Sequence, residues 1–386
     1  MLAHRIPFEK RLPMPTNEVE IGYFDLRDST WHGLTKSIAF NWQQGSMLQW
    51  LGPDFNDRFI FNDAETNHFV SRIYTVSTGE KKTVPYPVYA VDPQGKFSIS
   101  LNFERCFWTR AYSYTTISND YWNCNVPQED GVFKINLETG ERTRIIAISD
   151  IASNQVQYSH WFEHIMLNPD ASRFVVYHRY GKGKESFDTL AYTADMEGKN
   201  IWRHPTSGVT HWGWRNPKEY VVFSGNSTGI GKSYSQAMDK KRGLLMQVAV
   251  WFYRNMVKPF ISSRAVGKIT TNSFYERSRD QSGIIEKWNR GWLGQDGHPS
   301  FTKDGRFMLS DTYSDDNDFR YLYIHDTQEK KDYLLAKIYS TINLAVWRAD
   351  LHPRFSPDEK RVVVDSSPDG HHQIIVFDVK WELFEN

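Results

Sequence analysis

The sequence predicts an all-β fold, a seven-bladed β-propeller carrying a helical insertion. Three observations point to it: a hairpin unit that recurs along the chain, a second hairpin that follows most copies of the first, and a high aromatic content. The first unit is an apolar strand, a turn built on Pro-Asp or Asp-Gly, and a second apolar strand. It runs over residues 48–62 around Gly52-Pro53-Asp54, 88–101 around Asp92-Pro93-Gln94-Gly95, and 165–177 around Asn168-Pro169-Asp170. It returns over 211–223 around Asn216-Pro217, 299–310 around Lys303-Asp304-Gly305, and 353–365 around Ser356-Pro357-Asp358. The second unit is a β-rich run ending in a polar hairpin, at 73–80, 132–141, 190–199 and 321–329. Aromatic residues make up 15% of the chain, with 14 Trp, which suits many short, half-buried strands.

Two hairpins make four antiparallel strands, and a period of roughly 40–50 residues is that of a propeller blade. Residues 373–380 end the chain without a partner hairpin, so the expectation is a blade assembled from both chain ends. At 386 residues the chain reads as one domain, 1–386, because repeat-built β folds reach this size as single units. Two stretches interrupt the repeat. Residues 104–130 are rich in Tyr and Trp, and 231–290 read as a helical insertion or cap, of the kind that maps to loops at one end of a propeller.

Bulk properties exclude several function classes. Formal net charge is zero, whereas a protein that binds nucleic acid along its backbone carries a basic excess, so no nucleic-acid partner is expected. Cys106 and Cys124 are the only cysteines, which argues against a secreted disulfide framework. Residues 1–15 hold His4, Arg5, Glu9, Lys10 and Arg11 rather than the apolar core of a signal peptide, and the expected location is cytoplasmic. The most apolar stretch, 244–261, is broken by Gln247, Arg254, Asn255, Lys258 and Pro259 and falls short of a membrane span. With Trp251, Phe252, Tyr253 and Phe260 between basic flanks, it reads either as a helix packed on the propeller rim or as a peripheral contact with the inner membrane.

The histidines concentrate at the inner hairpins of successive blades. His160, His164 and His178 bracket one hairpin, His211 begins the next, His298 another and His352 the last. First strands of propeller blades line the central channel, so equivalent positions converge at one end of it. His298, Asp350 and His352 are the candidate metal ligands. Asp350 and His352 stand two apart on a segment expected to be extended, which turns both side chains the same way. Two imidazoles and a carboxylate suit Mn²⁺, Zn²⁺ or Fe²⁺ with open positions for substrate; the competing reading has each histidine capping a strand through backbone hydrogen bonds. Asn41, Gln43, Gln44 and Arg105 carry the amide and guanidinium groups that suit sugar hydroxyls and carboxylates. Arg179, after His178, and Arg348, before Asp350, are candidates to hold an acidic substrate.

Taken together these residues resemble a known group. Asn41-Trp42-Gln43-Gln44-Gly45-Ser46-Met47-Leu48-Gln49-Trp50, Gly297-His298-Pro299-Ser300-Phe301 and Asp350-Leu351-His352-Pro353-Arg354-Phe355-Ser356-Pro357-Asp358 are similar to the oligogalacturonate lyase family, polysaccharide lyase family 22. The resemblance runs along nearly the whole chain apart from 231–290, while the Ser-Pro-Asp turns are shared with TolB-like and WD40-like propellers. It implies a seven-bladed propeller and a Mn²⁺ ion, held in that family by three histidines and a glutamine, with a histidine and an arginine working beside it. His211 matches the family's catalytic histidine, His298 its isolated metal histidine, and His352 the last histidine of its paired motif. Asp350 stands where the paired motif has its other histidine, Trp347 about where the glutamine falls, and Leu190 about where the arginine falls.

The resemblance implies β-elimination on a uronic-acid oligosaccharide or polysaccharide. His211 would be the base, His298, Asp350 and His352 the metal ligands, and Arg179 or Arg348 the partner of the substrate carboxylate. Gln43, Gln44, Arg105, His160, His164 and His178 complete the expected substrate-facing set. The departure at Leu190 keeps a second class open: a non-catalytic propeller that binds a glycan or protein partner, at the inner membrane in polysaccharide assembly.

Overall fold

The structure, a computed structural model, describes residues 1–8, 14, 16–105, 117, 124–152, 156–181, 187–227, 271–315, 317–341 and 349–384. The chain folds as a seven-bladed β-propeller. Its sheets are antiparallel meanders in which strands consecutive in sequence pair. In the unit spanning Met1–His204, β1 (Leu2–Arg5), β2 (Val19–Asp25) and β3 (Thr30–Ser37) form the first blade. The second is β4 (Gln49–Trp50), β5 (Arg58–Glu65), β6 (His68–Thr75) and β7 (Lys81–Val84). The third is β8 (Ala90–Val91), β9 (Phe97–Ser100), β10 (Gly131–Asn136) and β11 (Arg142–Ala147), and the fourth is β12 (Ser159–Leu167), β13 (Arg173–Gly181), β14 (Phe187–Asp195) and β15 (Trp202–Arg203).

The unit of Pro205–Asn343 and Arg348–Asn386 holds the other three blades. These are β16 (Val209–Asn216), β17 (Glu219–Ser227), β18 (Thr271–Arg279) and β19 (Ile285–Trp288); β20 (Ser300–Phe301), β21 (Phe307–Asp311), β22 (Phe319–Asp326) and β23 (Lys331–Tyr339); and β24 (Arg354–Phe355), β25 (Arg361–Ser366) and β26 (Gln373–Asp378).

The hairpin turns form for a local reason. In five of the six recurring first hairpins the residue opening the turn uses a short polar side chain to bind backbone N–H groups across it, as expected of Asx and Ser/Thr turns. Asp92 accepts from the N–H groups of Gln94, Lys96 and Phe97. Asn168 accepts from Arg173, Asn216 from Lys218 and Glu219, Thr302 from Phe307, and Ser356 from Arg361. Alternation then buries one side of each strand. Ile99, Val132, Phe162, Phe174 and Val176 fill a core in the first unit, and Leu309, Leu322, Ile324, Val362 and Val364 fill one in the second. Full burial of such side chains stabilises by about 1.5–3 kcal/mol each.

Two expectations need correcting. Among the described residues no sheet joins strands from both chain ends: β1–β3 and β24–β26 each form a three-stranded sheet. The turn-and-alternation signal marks where strands lie and does not say which chain end supplies an edge. The expected insertion at 231–290 ends early, because 271–290 includes β18 and β19. The rest of it, including 244–261, lies outside the described residues. Among the described residues no helix is long and apolar enough to cross a membrane.

Candidate metal centre

Within the second unit β16 neighbours β20, and β20 neighbours β24. His211 lies in β16, where the register with β17 shifts between Val209 and Trp212. His298 and His352 precede β20 and β24 by two residues each. Extending the pairing Ser300↔Leu309 outward sets His298 opposite Asp311, and extending Arg354↔Val363 sets His352 opposite Asp365. The contacts follow that register. His298 donates to Asp311 twice, from its backbone N–H at 2.7 Å and from ring Nδ1 at 2.9 Å. His352 Nδ1 lies 3.9 Å from Asp365. His211 Nδ1 donates to Asp296 Oδ1 at 2.7 Å, and Thr210 Oγ1 donates to the same oxygen at 3.0 Å.

These hairpins gather three imidazoles in a row. The His298 ring centroid is 4.3 Å from that of His211 and 4.2 Å from that of His352. Ligand atoms of His298, Asp350 and His352 all lie within 4.8 Å of one another. Asp350 also accepts from Arg320 Nη1 at 2.8 Å, and both groups are buried. The donor set fits a divalent ion: a carboxylate engages Nδ1 of His298, which leaves Nε2 as the nitrogen for an ion, the arrangement of carboxylate–histidine–metal sites.

The reason given by sequence for pairing Asp350 with His352 does not hold. The segment from Asp350 to Pro353 is not a strand, and His352 has φ 42°, in the left-handed region. A residue before proline favours extended backbone, so this conformation costs on the order of 1–3 kcal/mol. The hydrogen bond from Asp365 N to Leu351 O (2.8 Å) and the burial of Leu351 hold the segment against that cost. The left-handed turn, rather than strand alternation, brings the two ligands to one place.

The charges of the site are tightly linked. Burial alone lowers the His298 imidazole, but the charge and hydrogen bonds of Asp311, with Asp350 and Asp296 beyond, outweigh it and raise it above its ordinary value. Burial raises Asp311, and the same His298 contacts reverse this and hold it below the ordinary carboxylate range. For Asp365 burial prevails over Arg354 and His298, and its carboxyl is raised.

The remaining expected site residues lie in the first unit or outside the described residues. Gln43 and Gln44 occupy a tight turn whose backbone N–H groups are held by Asn41 Oδ1, and Gln44 Nε2 donates to Tyr89 Oη at 2.9 Å. Arg105 is buried and binds the carbonyls of Asn125 and His160. His160 Nδ1 and His178 Nε2 share a hydrogen bond of 2.9 Å, and Tyr180 stacks on both rings. Burial, then the neighbouring His160, holds His178 down to about 3, so it is a neutral packing histidine. His164, with φ 51°, falls at the irregularity where β12 shifts register. Arg179 forms a buried ion pair with Glu163 and lies over the Phe187 ring. Trp347 and Arg348 lie outside the described residues.

Asp130, at the start of β10, is buried and raised to about 7, by burial first, with Arg105 pulling the other way. A carboxyl raised on folding contributes stability that is fully present below its ordinary 3.8 and is lost as pH rises through about 7. Asp130→Asn keeps the acceptor for the Gly131 N–H and has no charge to bury. Its stability relative to the parent is expected to climb between pH 4 and 7 and then level off, by a few kcal/mol at about 1.4 kcal/mol per pKa unit. Thermal unfolding across that range checks it, and a pH-independent difference would contradict it.

Sequence reasoning missed Asp296, Asp311, Arg320 and Asp365. A signal for two of them was present: an aspartate stands thirteen residues after His298 and again after His352, the length of one hairpin.

No protein-family model matches the sequence, and no curated protein sequence matches it. Solved structures do match. An oligogalacturonate lyase in complex with manganese aligns over 100% of this chain and 92% of its own, at 13% identity and a TM-score of 0.60. The hydrazine synthase of Kuenenia stuttgartiensis aligns over 97% and 98%, at 11% identity and a TM-score of 0.53. TolB from Acinetobacter baumannii aligns over 98% and 76%, at 13% identity and a TM-score of 0.46. At these identities the likeness to the first two is one of fold alone, and the fold of this chain is the seven-bladed β-propeller.

Proposed function

We propose that the protein is a Mn²⁺-dependent lyase that cleaves a uronic-acid oligosaccharide or polysaccharide by β-elimination. The observation that carries the reading is the row of His211, His298 and His352, with Asp350 completing a ligand set at one end and Asp296 engaging His211 at the other. The sequence resemblance to oligogalacturonate lyases and the likeness in fold to one bound to manganese give it further support.

His298, Asp350 and His352 would hold the ion. Once bound, the ion supplies positive charge for the substrate carboxylate and for the negative charge that develops when the neighbouring C5 proton leaves. His211 takes that proton. Its Nδ1–H is committed to Asp296, so Nε2 carries the lone pair. The C–H electron pair becomes the C4=C5 double bond, the C4–O4 bond breaks toward oxygen, and the leaving oxygen takes a proton from solvent. Asp311 fixes His298 through two hydrogen bonds, one from its backbone N–H and one from ring Nδ1. Arg179 and Arg320 are each buried in an ion pair, with Glu163 and Asp350, so among the described residues neither is offered to the substrate carboxylate; that role falls to the ion together with Arg348, which lies outside them.

Leu190, standing about where the family carries an arginine, favours one alternative: a propeller that binds a glycan without cutting it. One experiment decides between them. Incubation with Mn²⁺ and a panel of uronic-acid oligosaccharides is expected to raise the ultraviolet absorbance of a C=C bond conjugated to carboxylate. A chelator and His211→Ala should each abolish the rise. Binding of uronides without any rise would instead establish the non-catalytic reading.

A further inference from the structure

We propose that Asp296 is the positioning residue of this site: its carboxylate selects the tautomer of His211 and aims its Nε2 at the substrate. The inference rests on the reading of His211 as the base, and it adds a residue that neither the sequence resemblance nor the ligand set assigns. A neutral imidazole carries its proton on one nitrogen and its lone pair on the other, and an ionised carboxylate can only accept. The 2.7 Å contact between His211 Nδ1 and Asp296 Oδ1 therefore places the proton on Nδ1. Without it the ring is free to protonate Nε2, and in that tautomer the lone pair sits on Nδ1, leaving none at Nε2 for the substrate proton.

Asp296 is itself held. Thr210, the residue before His211, donates its hydroxyl to Asp296 Oδ1 at 3.0 Å, so the carboxylate grips two successive residues of β16. On its other side the chain is fixed by Gly297, whose carbonyl accepts from the buried Tyr275 hydroxyl at 3.0 Å, and by His298, whose N–H is held by Asp311. The segment Asp296-Gly297-His298 thus orients the base with its first residue and presents a metal ligand with its third. Among the described residues Asp296 does not belong to the ligand cluster, which is His298, Asp350 and His352. Its removal is therefore expected to spare the ion and disable the base.

Asp296→Asn, Asp296→Glu, His211→Ala and the double variant His211→Ala with Asp296→Asn separate these roles. In the Mn²⁺-loaded protein Asp296→Asn is expected to lower kcat by about 10²–10⁴-fold, the range seen when a base loses its orienting carboxylate. KM and Mn²⁺ affinity should stay within a few-fold, and Asp296→Glu should recover part of the loss. Adding Asp296→Asn to His211→Ala should cost nothing more, because the carboxylate acts through the ring. A second readout needs no turnover: ¹⁵N spectra of the metal-free, histidine-labelled protein should show His211 protonated on Nδ1 in the parent and shifted toward Nε2–H in Asp296→Asn. Additive losses in the double variant, or an Nε2–H tautomer in the parent, overturn the proposal. If no uronide is cleaved, the lyase reading falls, and the tautomer measurement still decides the role of Asp296.

Discussion

Replacing His298 with alanine is expected to weaken Mn²⁺ binding by more than about 100-fold, beyond the 10–100-fold that loss of an outer-shell partner costs. The argument is one of position. His298 is the middle ring of the row, 4.3 Å from His211 and 4.2 Å from His352, and it supplies one of the two imidazoles in the ligand cluster. Alanine leaves Asp350 and His352 alone, too few donors to desolvate a divalent ion. It also takes the ring donor from Asp311, a buried carboxylate that among the described residues then keeps the backbone N–H of residue 298. An under-satisfied buried acceptor costs about 1–3 kcal/mol, so the variant should melt earlier as well. Calorimetric titration with Mn²⁺ and thermal unfolding measure the two effects. If Mn²⁺ affinity stays within about three-fold of the parent, the ion does not bind at this cluster.

The fold was legible because its signals are local. A turn opened by Asp92, Asn168, Asn216 or Ser356 announces itself through a short polar side chain and its neighbouring Pro or Gly, and the strands on either side follow by alternation. What was not legible is long-range or unusual backbone. Which chain end closes a blade depends on pairing energies that leave no mark on either strand, and β1–β3 proved to be a sheet in itself. The end of the insertion was misplaced because β18 (TNSFYERSR) is polar at both ends and shows little apolar alternation, although the Asp280-Gln281-Ser282-Gly283 turn that follows it was there to be read.

The site was half legible for the same reason. Histidines at hairpin entrances can be found by inspection, and His298 and His352 come with a Pro that fixes where the strand begins. Their gathering in one unit follows from the repeat. Asp350 was chosen for the wrong reason, since strand alternation does not apply to a residue pair with a left-handed member. The carboxylates behind the rings needed register. Asp311 and Asp365 lie opposite their histidines only if each hairpin keeps its pairing two residues past the last hydrogen-bonded strand position, which the spacing hints at and the geometry supplies. Asp296 required tertiary structure, being 85 residues from its partner.

Gly297→Ala is expected to damage the site through the backbone. A Cβ at Gly297 would sit 1.9 Å from the carbonyl oxygen of Asp311 and 2.9 Å from Ser310 Oγ. The Asp311 carbonyl cannot yield cheaply, because β21 is paired with β22 at Asp311↔Leu322 and Ser310↔Tyr323. The segment Asp296-Gly297-His298 must retreat instead, stretching the hydrogen bonds of His298 to Asp311 and of Tyr275 to Gly297. Overpacking of this kind costs about 1–3 kcal/mol. Because the segment carries a metal ligand and the partner of His211, Mn²⁺ affinity should fall at least about ten-fold, as when an outer-shell support is lost, and turnover should fall with it. Gly305→Ala separates the two effects. That glycine has φ 70° and would bring a Cβ within 2.6 Å of the Arg215 carbonyl, so alanine there is strained as well. It lies in the turn between β20 and β21 and holds no site residue. The expected outcome is that both variants melt earlier and only Gly297→Ala loses the ion. Equal Mn²⁺ affinities at matched stability would mean that His298 tolerates a displaced backbone, and that its ring is held by Asp311 rather than by the close packing of the glycine.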